Sequence, residues 1–411
     1  MYLKKKKKKK LNKELGDLGF INLTFQNCYL DDNKTGSYFE NLFDKTQLDY
    51  SRYAYFYVNH LIANGEYKKA KSITDSIDVI NSNLLILQTK NWINTKKYKQ
   101  IVKLFSCKNE NDILSEFFYL IASIYSSEEE YKKSNFYVRI SNFLNPKFKF
   151  NLTLISENFF INKKYTQSKA VMKNFNKRDG VYNWYKIKKN TQIILKQRGT
   201  KEASNYLKTN FKKIKNPSVK ILFDMANLSK NFKNYKDAIK YYNKILPKLK
   251  NDSSTYADVL FRRGGAFERL GDYANSDKDL LRSLEIESDD AYVLNYLAYS
   301  WLERNYKIDT AMQMLEKAHK QEPDDAFIID SIGWAHYLAG NYIKAEKLLK
   351  KALQIMPDDP IVNDHYGDIL WRLGRKTEAQ YYWNSVLNFD DTEKEMKDKV
   401  FIKILKGLRK I

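Results

Sequence analysis

Proline and glycine are scarce in this 411-residue chain, at 6 and 14 residues. A sheet protein needs turn-formers at every hairpin, so this shortage argues against a β-rich fold. Cysteine is scarcer still. Cys28 and Cys107 are too few for a disulfide framework or a zinc set, and are expected as free thiols that leave the redox compartment undecided. The four histidines (His60, His319, His336 and His365) show no metal-ligand spacing, with one another or with cysteine, so neither metal nor cofactor is expected. No run of 18 or more apolar residues occurs, which excludes a transmembrane helix. Signatures of catalysis are missing too. "GGAFERLG" at Gly264–Gly271 lacks the GK[ST] ending of a phosphate loop, "GRKT" at Gly374–Thr377 reads as a turn between helices, and no GxSxG elbow is found. The residues make no case for an enzyme.

Hydrophobic residues make up 43% of the chain and aromatics 15%, enough for a folded protein with a large core. The formal charge is +23, and it is uneven. Residues 1–250 carry 49 Lys/Arg against 21 Asp/Glu, whereas residues 251–411 carry 23 against 28. Residues 151–250 alone hold 24 basic and 5 acidic residues, a composition that suits weak polyanion binding, and also one that lysine-rich codon usage would produce. The start, with Lys4–Lys10, has a positive region but no apolar segment behind it, so residues 1–36 are expected to be a disordered basic tail. As written the chain reads as cytoplasmic; with a leader upstream of this start it would be periplasmic or envelope-associated.

What is present is a refrain. Gly264, Ala298, Gly333 and Gly367 stand 34, 35 and 34 residues apart, and Gly271, Asn305, Gly340 and Gly374 each follow seven later. Ala311, Ala345 and Ala379 recur next, then Ala318 and Ala352, then Pro323 and Pro357. Within one block, Ile329, Ile332, Gly333 and His336 form the stripe of a first helix, and Tyr342, Ala345, Leu349 and Ala352 that of a second. The small residues mark close helix crossings. Pro357 ends one helix, and the aspartates after it are placed to cap the next.

On these residues, 256–391 resemble four tetratricopeptide repeats, and "DSIGW" at Asp330–Trp334 and "PDDP" at Pro357–Pro360 resemble bacterial members. Weaker copies continue upstream, with Tyr235 and Ala238, Tyr165 and Ser168, Tyr131 and Ser134, and earliest Gly65, Tyr67 and Ala70. The expected fold is therefore an all-α solenoid of about ten helix-turn-helix repeats. Its parts are a tail at 1–36, degenerate repeats at 37–250, four well-formed repeats at 251–391, and a capping helix at 392–411.

The resemblance implies a non-enzymatic scaffold that binds a peptide or partner protein in a concave groove lined by first helices. Positions that commonly face such a groove give Tyr292, Asn295, Tyr299, Leu302, Phe327, Asp330, Trp334, Tyr337, Ile361, Asp364, Asp368, Trp371 and Arg372. This set is aromatic and acidic, and it centres the expected partner site on Trp334 and Trp371. The alternative is an RNA- or anionic-membrane-associated protein acting through the basic N-terminal half; a third is a subunit of a secretion or envelope assembly.

Overall fold

The computed structural model describes residues 16–43, 51–176, 179–390 and 392–408, so Lys4–Lys10 lie outside the described residues. Among the described residues there are 23 α-helices and no strand. They fall into two compact units that divide between Ile221 and Leu222, ahead of the 250/251 boundary expected from the repeat pattern.

The first unit opens with a helix pair, α1 (Gly16–Leu30) and α2 (Thr35–Phe43). Five hairpins follow: α3 (Ser51–Ala63) with α4 (Tyr67–Ser76), α5 (Leu84–Asn94) with α6 (Tyr98–Leu104), and α7 (Glu110–Ser127) with α8 (Tyr131–Leu144), then α9 (Asn151–Ile161) with α10 (Tyr165–Val171) and α11 (Gly180–Arg198) with α12 (Thr200–Phe211). Helix α3 is apolar nearly all round, and a helix of that kind is driven to the centre of a core. From Tyr53 to Val58 every residue is buried. Just before them, the charged Arg52 donates to Glu116 at 2.8 and 2.5 Å and to Asn151 at 3.1 Å, with the Tyr119 ring 3.7 Å from its guanidinium carbon. A buried guanidinium is tolerable only beside a carboxylate that pairs with it in this way.

Two expectations are corrected here. Helix α1 and the start of α2 lie within the stretch expected to be a disordered tail, yet Ile21, Phe25 and Cys28 belong to the main core of this unit. The apolar residues of "GDLGFINLTFQNCYL" surround the helix instead of forming one stripe, so no helical period stands out. Phe25 meets Phe39, Phe56 and Phe105 edge-on at 5.1–5.9 Å between centroids. That anchoring brings the last turn of α1 against the loop between α6 and α7, where Cys28 and Cys107 form a disulfide with Cα atoms 5.7 Å apart. They are not free thiols. A contact across 79 residues leaves no trace in local spacing.

The second unit holds five further hairpins: α13 (Val219–Asn231) with α14 (Tyr235–Ile245), α15 (Ser254–Glu268) with α16 (Tyr273–Ile286), and α17 (Ala291–Glu303) with α18 (Ile308–Gln321), then α19 (Ala326–Leu338) with α20 (Tyr342–Ile355) and α21 (Pro360–Arg372) with α22 (Lys376–Asn388). A single helix, α23 (Lys394–Lys406), closes the unit with Val400 buried. The ten hairpins from Ser51 onward are those expected from the repeat. Asp290, Asp325 and Asp359 cap α17, α19 and α21, each carboxylate accepting from first-turn amides. The extra residue in the second well-formed block is absorbed by Asn305 and Lys307 in the left-handed region, at φ 50° and 46°. At the α19–α20 crossing a Cβ on Gly333 would collide with Leu349, and Ala345 is fully buried.

Two outcomes follow from this packing. Ala345→Leu overfills the crossing and should lower stability by about 1–3 kcal/mol in denaturant titration. Reduction of Cys28–Cys107 should destabilise the first unit, on the order of 4 kcal/mol for a loop of this length. Hydrogen exchange with and without reductant would read this, with protection lost in α2–α6 and kept in α19–α22.

Candidate functional site

The first helices α17, α19 and α21 pack side by side, and the expected site residues all lie on them. The structure divides those residues into a packed set and an open set.

The packed set is a continuous stack. The Trp334 indole lies between Tyr337, 4.6 Å away at 13°, and His365, 4.0 Å away at 11°, and its N–H donates to Glu303 at 3.0 Å. His365 Nδ1 is 2.9 Å from Asp330, and both side chains are buried. Beside them, Lys403 of α23 donates to both carboxylates of Asp364 and Asp368 at 2.8–2.9 Å. Asp368 also accepts from Trp383 Nε1 at 3.0 Å. Trp371 packs against Trp383 at 5.4 Å, with the Lys376 ammonium 5.3 Å from its ring. Gly407, at φ +66°, passes so close over Trp371 that a Cβ would overlap the indole. The tryptophans expected as partner anchors are thus held by the chain itself. In the acidic wall expected from Asp330, Asp364 and Asp368, the first is hydrogen-bonded to His365 and the other two are paired with Lys403. Tyr299 is largely buried, with the His365 ring 6.3 Å away, Asn295 is partly buried, and Arg372 reaches the Tyr337 hydroxyl at 3.4 Å.

The titrations follow from burial. Burial alone would pull His365 down, but the charge and hydrogen bond of Asp330, with Asp364 and Asp368 nearby, outweigh it and raise the imidazole above its ordinary value. Burial pushes Asp368 up to about 6, with Asp364 adding to the rise and Lys403 opposing it. For Lys403 the two aspartates outweigh burial, so the ammonium is held more firmly than usual.

The open set is a ladder. Tyr292, Phe327 and Ile361 occupy the same position of three successive repeats and are 54%, 58% and 46% exposed. The field there is negative: Glu322 and Asp325 hold the Tyr292 hydroxyl above its usual range. Asp358, next to the α21 cap, is exposed as well.

His365 and Lys403 were not among the expected site residues, although a signal existed. Asp330 to His365, Tyr337 to Arg372 and Asp368 to Lys403 each span 35 residues, one repeat step. Side chains on neighbouring first helices meet at that separation. Among the described residues no His/Cys/Asp/Glu group could hold a metal ion, and no helix is long and apolar enough to cross a membrane.

Comparison with known proteins agrees with this architecture. Residues 257–290 and 326–359 each match a tetratricopeptide repeat model. Over 111 residues the chain is 37% identical to a TPR repeat-containing protein of Pseudomonas aeruginosa, a match spanning 27% of this chain and 19% of that protein. A solved tetratricopeptide repeat protein from Parabacteroides merdae is similar in fold, with a TM-score of 0.50 at 15% identity, covering 62% of this chain and 98% of that one.

The buried cluster has a measurable pH signature. A raised His365 adds stability that is complete below about pH 6.5 and lost as pH climbs through its folded value. The raised Asp368 acts in the same direction, its contribution fading between about pH 4 and 6. His319 and His336 in the same unit, lowered by burial, act the other way, so the His365 contribution is read against a variant. In thermal unfolding the advantage of the wild type over His365→Gln should be larger at pH 5.5 than at pH 8.5. Lys403→Met leaves two carboxylates facing each other and should cost on the order of 3–5 kcal/mol at neutral pH.

Proposed function

We propose that this tetratricopeptide repeat protein is a non-enzymatic scaffold that takes an extended segment of a partner protein along Tyr292, Phe327 and Ile361. The observation that carries the reading is the repeat-spaced exposure of these three apolar side chains, on helices whose other large residues are packed. Isolated exposed apolar residues are ordinary; the same position left open in three successive repeats is not explained by packing.

Geometry and charge narrow the partner. Neighbouring helix axes lie about 8–10 Å apart. A segment in polyproline II conformation repeats every 3 residues and about 9 Å. Apolar side chains at every third position would therefore meet successive rungs. The negative field around Tyr292 and the exposed Asp358 favour Lys or Arg between them and disfavour an acidic tail. The rungs stand on capped helices, so little ordering entropy is lost on binding.

The test is selection from a displayed library of random short peptides. Peptides enriched by the wild-type chain should carry basic residues between apolar ones at three-residue spacing. The triple variant Tyr292→Ala, Phe327→Ala, Ile361→Ala should bind them at least about tenfold more weakly with unchanged helicity, since these side chains are open. Selected peptides that bind the triple variant as well as the wild type would overturn the ladder as the site.

A further inference from the structure

The first unit carries a surface of a different kind on α8. Its buried residues, Ser134, Val138 and Ser141, define the side that packs against the rest of the unit. At 3.6 residues per turn, Lys132, Phe136, Arg139 and Phe143 all fall within about 60° of one another on the opposite side. Phe136 is 61% exposed and Phe143 is 83% exposed. An open Phe at that level on an ordered helix loses apolar contact with nothing in return. Two of them, one heptad apart, form a ridge about 10 Å long. Lys132 and Arg139 alternate with them, both exposed. The second helix of the preceding hairpin, α6, likewise presents exposed Lys99 and Lys103 on the side opposite its buried Ile101.

We propose that this face of the first unit docks on an anionic lipid bilayer, with Phe136 and Phe143 entering the interface and the basic side chains meeting the headgroups. Rings of this type partition into the boundary between headgroups and acyl chains, and Lys and Arg add attraction to anionic lipid while their stems lie along the apolar layer. Other occupants fit less well. A second copy would bring Lys132 and Arg139 against their own counterparts, which repel. Bases of a single-stranded nucleic acid stack on aromatic platforms, and two rings set about 10 Å apart along one helix offer none. The face is independent of the ladder in the second unit, so neither reading depends on the other.

The experiment uses the full chain and vesicles of phosphatidylcholine with or without about 30% phosphatidylserine. Co-sedimentation should occur with the anionic vesicles alone and weaken steeply between about 50 and 200 mM salt. Phe136→Ala with Phe143→Ala should reduce the bound fraction about tenfold without changing helicity, because neither ring is buried. Fluorescence of Phe143→Trp should shift to the blue on adding anionic vesicles, which reports entry of this position into the interface. Failure to bind anionic vesicles at low salt would overturn the proposal. So would equal binding by the double Phe variant, which would leave only nonspecific charge attraction, or an unshifted Phe143→Trp spectrum. Binding to poly(U) that the double Phe variant loses in parallel, with vesicles ignored, would assign the face to nucleic acid instead.

Discussion

A helical hairpin of some thirty residues cannot bury its apolar stripe alone, so each hairpin in this chain is stable only against its neighbours. That constraint requires helices to cross closely, and close crossing requires small residues at fixed places. Ala311, Ala345 and Ala379 meet the requirement in the well-formed repeats and are fully buried. Upstream, serine takes over the same duty. Ser156 and Ser168 face each other across the α9–α10 crossing at 3.0 Å, and Ser115 and Ser141 do so across α7–α8. A buried hydroxyl is tolerated because its partner is the hydroxyl or carbonyl opposite. The hairpins that look degenerate as sequence therefore retain the spacing that matters.

The same closeness decides what becomes of charge on the first helices. Carboxylates such as Asp330 and Asp368 are 5% and 4% exposed, a position that costs stability unless a cation stands beside them. Beside Asp330 stands the His365 imidazole of the next repeat, whose protonation that carboxylate favours. For Asp368 the cation is Lys403 on α23, the helix that follows the α21–α22 hairpin, one repeat step along the chain. The final helix is thus an electrostatic part of the wall as well as a cover for apolar surface. With these acids partnered and both tryptophans packed, exposed apolar side chains are left in the first turns of α17, α19 and α21.

Periodicity made the architecture legible. The 34-residue step revealed the hairpins, the small residues their crossings, and the aspartates before α17, α19 and α21 their caps, because all three are local requirements repeated along the chain. The candidate site was legible only to the level of a helix face. Position within a repeat says which way Trp334 points, but its exposure depends on His365 and Glu303, contributed by neighbouring repeats. Tyr292 and Phe327 were on the expected face for the same reason as Trp334, yet they are more than half exposed. Helix α1 was illegible for another reason: it lies outside the repeat and is apolar on several sides, so no period marks it. The pairing of Cys28 with Cys107 needed the fold itself.

That disulfide has a mechanical consequence. A stack of hairpins joined end to end behaves like a spring, and tension applied at one terminus would ordinarily peel hairpins away in order. Here the bond from α1 to the loop ahead of α7 offers force a covalent route around everything between residues 28 and 107. Load entering ahead of Cys28 passes directly to the α7–α8 hairpin, and α2 to α6 are left off the load path. The first unit would yield from its middle outward, with a fixed limit on its extension for as long as the clasp stays oxidised.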